Sequence, residues 1–182
     1  SMLTIVANFG NLRDLSEEVA HQGLSIAKSL DMPMAVARCL DTIGNLAISA
    51  GNYEEALQNL SQAESILADF DETYEVKFVR LRLGYAYYNL GQLDNARKCY
   101  RQLIRSGRAD KTDGLVAWAL DHLGQLENSI GNYSAGQQHY SKALEAFESY
   151  GWLMAVFSSS RGLANSYSGL GRLAEARHYY HV

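Results

Sequence analysis

Apolar side chains recur along this chain at three- and four-residue steps, and the arrangement itself returns every 40 residues. Val36, Leu40, Ile43 and Ala47 form one such series, and Tyr53, Ala56, Leu60 and Ala63 another. Both have the spacing that lays an apolar stripe along one side of an α-helix. Gly51, Gly91, Gly131 and Gly171 mark the period, each preceded at seven residues by Gly44, Gly84, Gly124 and Ala164. Two residues after each come Tyr53, Leu93, Tyr133 and Leu173, then Ala56, Ala96, Gly136 and Ala176, then Leu60, Tyr100, Tyr140 and Tyr180. Val36, Val76, Val116 and Val156 keep the same register upstream, as do Ile43, Leu83, Leu123 and Leu163. Self-similarity at a fixed period is the mark of a repeat architecture.

Each period predicts two antiparallel helices. The first helices fall over 33–50, 73–90, 113–130 and 153–170, and the second over 53–70, 93–106, 133–150 and from 173 to the end. The small residue at 44, 84, 124 and 164 lets the partner helix approach closely. The glycine at 51, 91, 131 and 171 suits a left-handed turn that ends the first helix. Asn52 and Asn132 stand where the next helix would be capped. Residues 12–30 read as the second helix of an earlier unit and 2–9 as the tail of its first, giving units over 1–31, 32–71, 72–111, 112–151 and 152–182. Ser1-Met2 reads as a cloning remnant, and the pattern starts and stops mid-unit, with Tyr179, Tyr180 and Val182 left uncovered. The expectation is therefore a fragment of a longer protein, with exposed ends through which it would self-associate.

Leu/Ile-Gly, a turn glycine, Tyr/Leu-x-x-Ala, a bulky residue four further on and another alanine together resemble the tetratricopeptide repeat (TPR). The resemblance covers nearly the whole chain. The common repeat has about 34 residues, and the 40-residue form is similar to those of kinesin light chains and of large bacterial ATP-dependent transcription activators. It implies an all-α fold, a right-handed superhelical α-solenoid of antiparallel helix hairpins, with first helices lining the concave face. The residues then expected in the groove are Arg38 and Asn45 in one unit, and Phe78, Tyr85, Tyr88 and Asn89 in the next. Trp118, Asp121, Gln125 and Asn128 follow, then Arg161 and Asn165. Aromatic rings, amides and arginines are what recognition of a partner peptide uses. The family's pocket for a terminal carboxylate is not carried over: Asp41 and Leu81 stand where its lysine would be, and only Asn45 fits.

Composition narrows the functions. A net charge of −4 and one proline, Pro33, argue against a nucleic-acid or membrane-surface role and for a helical fold. Seven acids and no base lie between Tyr53 and Val76, and nine bases between Lys77 and Lys111. Arg97, Arg101 and Arg105 form a stripe at four-residue spacing, read as a solvated face balanced by the acidic hairpin before it. Cys39 and Cys99 read as small core residues, His178 and His181 as a surface pair, and His122 and His139 as ordinary helix residues. Asp110-Lys111-Thr112-Asp113-Gly114 has the letters of an aspartyl-phosphate loop without the strand such a loop needs. Gly107–Asp113 reads as a connection between hairpins. No nucleophile–base or phosphate-cradling motif is present. The expectation is a cytoplasmic, non-enzymatic binding module without cofactor or metal. Its partner would be a protein or peptide, another domain of its own parent protein included. The alternative is a regulatory module that senses a small effector.

Overall fold

The computed structural model describes residues 2–70, 74–109 and 113–181, with side chains described from residue 13 onward and not over 107–113. The expected unit boundaries at 71/72 and 111/112, with Asp71, Glu72, Asp110 and Lys111, lie outside the described residues, as does Val182. Every regular element among the described residues is helical: α1 (Met2–Ser29), α2 (Pro33–Ala50), α3 (Tyr53–Leu67), α4 (Tyr74–Asn89), α5 (Leu93–Ala109), α6 (Asp113–Ser129), α7 (Tyr133–Tyr150), α8 (Leu153–Gly169) and α9 (Leu173–Tyr180).

Three predictions of helix limits are corrected, the first being that α3 ends at Leu67 rather than 70. α1 is a single helix through Gly10, where the sequence predicted a break between 9 and 12, and α5 runs to Ala109 rather than 106. In these two places a glycine, Gly10 or Gly107, stands at the expected limit. Inside a helix glycine costs only about 1 kcal/mol relative to alanine, too little to end one without a left-handed turn beyond it.

The chain divides into two compact units, Ser1–Leu90 and Gly91–Val182. Within the first, α1 packs on α2, α2 on α3 and α3 on α4, and α2 also meets α4. Within the second, each helix from α5 to α9 packs on the next, and α6 also meets α8. First helices therefore lie beside first helices, each with a second helix at its back.

The turns explain the reversals. Gly51, Gly131 and Gly171 have φ of 79°, 78° and 74°, in the left-handed region that side chains resist. At Gly51 the amide donates to Ile48 O (2.9 Å) and the Asn52 amide to Ala47 O (2.9 Å), the paired bonds of a Schellman end. The same pair recurs at Gly131 and at Gly171. The turns between hairpins follow the register too, which sequence reading missed. Asp31 (φ 51°) and Gly151 (φ 67°) lie three periods apart and close with the same two bonds. The capping expectation is corrected. Asn52 and Asn132 occupy the N-cap positions without a side-chain cap bond. The Asn132 amide donates instead to buried Glu127 Oε2 (3.0 Å), and that of Asn52 reaches Glu55 (3.4 Å).

Small residues on first helices receive bulky ones from second helices. Leu60 is fully buried against Gly44, where an added Cβ would lie 2.6 Å from its Cγ. Two repeats on, the Tyr140 ring of α7 lies between two glycines. A Cβ on Gly124 of α6 would meet it at 2.8 Å and one on Gly162 of α8 at 2.3 Å. The ring has nowhere to move, since yielding to one helix drives it into the other. Gly162→Ala is thus expected to lower stability by about 1–3 kcal/mol, despite the roughly 1 kcal/mol that alanine gains in a helix interior. Urea unfolding followed by circular dichroism measures this; an unchanged or raised midpoint would contradict the clamp.

Candidate binding surface

In the first unit the face shared by α2 and α4 is organised around Arg82, which the sequence reading did not single out. Its guanidinium pairs with Asp41, its Nε donates to Asn45 Oδ1 (3.2 Å), and its Cζ lies 4.3 Å from the centre of the Phe78 ring. Arg38 reaches across to Glu75 (2.8 Å). Six of the expected residues, Arg38, Asn45, Phe78, Tyr85, Tyr88 and Asn89, belong to these two helices. Phe78 is half-buried against Tyr74 (5.7 Å between ring centres), and Tyr85 is half-buried edge-on to Tyr53 (6.4 Å). Tyr88 is half-buried and Asn89 is exposed, its amide donating to Tyr85 O (2.9 Å). The signal for Arg82 was in the sequence: an acid at 41 and a base at 82 differ by one period plus one residue, which places them on adjacent first helices.

In the second unit the expected residues divide. Trp118 is half-buried in the core, 5.0 Å from the Phe147 ring. Asp121 is only 7% exposed and accepts a short hydrogen bond from Ser159 Oγ of α8. Burial pushes its carboxyl up to about 6, with the Ser159 bond opposing. Asn128 donates to Gly162 O (3.1 Å) and accepts from Ser166 Oγ (2.9 Å). Asp121 and Asn128 therefore join α6 to α8. Gln125, Arg161 and Asn165 face solvent, Asn165 accepting from Tyr180 Oη (2.6 Å).

Charges and rings elsewhere depart from their expected setting. Lys77 is 1% exposed, at the register position that Ala37 and Ala117 fill with alanine. Arg80 pairs with Glu64 (3.1 Å), and Arg97 with Asp94 and with buried Glu127 (3.0 Å each). These bases bind acids of their own or neighbouring helices, and within the stripe only Arg101 and Arg105 are exposed. Arg80–Glu64 does join the basic stretch to the acidic hairpin before it. Cys99 is buried and Cys39 half-buried. His122 stacks on Tyr100 (5.5 Å), and burial lowers it to about 4, opposed by a hydrogen bond to the Gln125 side chain. His139 is likewise lowered by burial. Tyr179 is half-buried on Tyr167 (5.6 Å) rather than uncovered, whereas Tyr180 is exposed. His178 and His181 are exposed. Among the described residues no group of three His, Cys, Asp or Glu side chains could hold a metal ion, and no helix is long and apolar enough to cross a membrane.

Comparison with known proteins fits this geometry. Residues 78–149 match the family model for the tetratricopeptide repeat. The chain is 24% identical over 156 residues to Protein KINESIN LIGHT CHAIN-RELATED 3 of Arabidopsis thaliana, covering 84% of this chain and 24% of that protein, so it spans about a quarter of that relative's length. Among solved structures it superposes on the nearly identical TPR-like repeats of a putative kinesin light chain from Podosopora anserina. There the TM-score is 0.75 at 15% identity, over 99% of this chain and 89% of that one. A Rap protein complexed with Competence and Sporulation Factor gives a TM-score of 0.78 at 13% identity, over 95% and 49%. Aspartyl phosphate phosphatase F from Bacillus subtilis gives 0.73 at 16%, over 97% and 52%. The tetratricopeptide repeat model matches residues 78–149, and the same register of glycine turns and small-against-bulky contacts runs outside it, so the chain is similar in sequence and fold to tetratricopeptide repeat proteins.

Proposed function

We propose that the chain is a protein-interaction scaffold that holds a peptide or helix of a partner on the faces made by its first helices. The observation that carries this reading is the α2/α4 face. There a guanidinium, an amide and two half-exposed rings, Phe78 and Tyr85, are held in fixed positions by Arg82, Glu75 and Tyr53. Rings and arginines ordered before binding lose little freedom on association. Gln125, Arg161 and Asn165 offer the corresponding polar positions in the second unit. Trp118, Asp121 and Asn128 act in this reading by setting the spacing of the helices that carry them.

Fold alone does not decide against catalysis, since one neighbour is named a phosphatase. The side chains support a non-enzymatic role: of the strongly shifted groups, Asp121 is buried against Ser159 of α8 and His122 is half-buried against the rings of Tyr100 and Trp118. The test is selection of peptides on the chain from a displayed library, followed by affinity measurement. Tyr85→Ala is expected to weaken the selected peptides by about 30-fold, the size of a hot-spot loss, with helix content unchanged. Selected peptides that bind this variant like the parent would place the surface elsewhere.

A second reading, a regulatory module that senses a small effector, draws on the Rap neighbour, which is held with a factor. A selective effector at 100 times its dissociation constant should stabilise the fold by about 2.7 kcal/mol. A thermal-shift screen of metabolites reads this, and silence across a broad library speaks against it.

A further inference from the structure

On the side of α8 that faces the outer helices, α7, α8 and α9 enclose an open cavity of about 310 Å³. Ser141, Glu145 and Glu148 come to it from α7, Ser160 from α8, and His178 and Tyr179 from α9. Glu145 and Glu148 are exposed and three residues apart, so they lie on one face of their helix. Neither has a cationic partner within ion-pair distance among the described residues. The Ser160 hydroxyl is fully buried and has no hydrogen-bond partner. A helical serine ordinarily satisfies its hydroxyl on the carbonyl of the turn before, and a buried polar atom without a partner is uncommon. Tyr179 is held in place by stacking on Tyr167. Its phenol is pushed up by burial and, to a smaller extent, by nearby Tyr167 and Glu148.

We propose that this cavity receives the guanidinium of an arginine on a partner polypeptide. A phosphate or carboxylate ligand would meet two unpaired carboxylates, and the described residues offer no metal cluster here. A guanidinium presents donors in a planar fork, enough for both glutamates and the Ser160 oxygen together, and its plane packs on aromatic rings such as Tyr179. An ammonium is a single point of charge and fits three separated acceptors less well. The cavity sits at the small end of ligand pockets and is open to solvent, which suits one side chain entering from a chain outside. The proposal is independent of the first-helix faces and stands or falls without them.

The test is an amide-resolved NMR titration of the 182-residue chain with N-acetyl-Gly-Arg-Gly-amide, the same tripeptide carrying citrulline, and methylguanidinium. The arginine peptide is expected to shift the amides of 145–148, 160–163 and 178–179 with millimolar affinity. Citrulline, which keeps the shape and lacks the charge, should bind at least ~10-fold more weakly. So should the arginine peptide to the Glu145→Gln/Glu148→Gln variant, whose exposed positions leave the fold intact. Ser160→Ala should weaken binding ~3-fold or more, the loss of one hydrogen bond. Equal binding of the arginine and citrulline peptides, undiminished binding to the double variant, or an absence of shifts at these amides would each overturn the proposal. Methylguanidinium binding as tightly as the peptide would overturn the assignment to a polypeptide.

Discussion

Tyr140→Ala is expected to cost about 3–5 kcal/mol, the range for truncating a large buried ring. Tyr140 is 6% exposed and packs with Leu144, Leu163, Tyr167 and Ala176, so three helices meet on it. The glycines on either side are too small to fill the space it leaves, and the Asp121–Ser159 and Asn128–Ser166 hydrogen bonds fix the spacing of α6 and α8. The site therefore collapses poorly, which places the loss toward the upper part of that range. Phe157→Ala serves as the control. At 57% exposure it should cost less than about 1 kcal/mol. The comparison is made in urea by circular dichroism, and equal midpoint shifts for the two variants would contradict the assignment of Tyr140.

The second large effect is on pH dependence and arises from two neighbours shifted in opposite senses. The Asp121 carboxyl is raised from 3.8 to about 6. Its contribution to stability is complete below pH 3.8 and is lost as pH rises through 6. The shift corresponds to about 3 kcal/mol. His122 is lowered from 6.5 to about 4. Its contribution is complete above pH 6.5 and is lost as pH falls through 4, again by about 3 kcal/mol. Between pH 4 and 6 the two slopes oppose each other. Asp121→Asn keeps an acceptor for Ser159 without ionising, so relative to the parent it should gain stability as pH rises from 4 to 7. His122→Phe keeps a ring against Tyr100 without charging, so relative to the parent it should gain stability as pH falls from 7 to 4. Urea midpoints at pH 4, 5, 6 and 7 give both differences; differences that do not vary with pH would remove both groups from the ledger.

What the sequence made legible follows from which forces are periodic. Turn glycines and small-against-bulky pairs recur because every unit solves the same steric problem, so Gly51, Gly124, Leu60 and Tyr140 could be placed before any coordinates. Asp31 and Gly151 obey the same period, yet an aspartate in a left-handed turn carries no visible mark. The polar seam was read only in part, because its contacts are not periodic. Asp41 meets Arg82 in one unit, whereas its counterpart Asp121 meets Ser159 in the other. Lys77 shows the limit of reading charge as exposure. A long apolar stem lets a lysine take a core alanine's place, and nothing in its letter distinguishes that from a surface residue. Asn52 and Asn132 failed as caps because their amides found carboxylates first.

The forty-residue register rests on bulky second-helix side chains seated against small first-helix ones, and a double-mutant cycle of Tyr140→Ala with Gly162→Ala measures that seating most directly. In the parent, Gly162→Ala should destabilise. Once the ring is gone the new methyl enters free space, and the same change should be neutral or stabilising, giving a coupling of about 2 kcal/mol. Costs that simply add, within about 0.5 kcal/mol, would contradict the account.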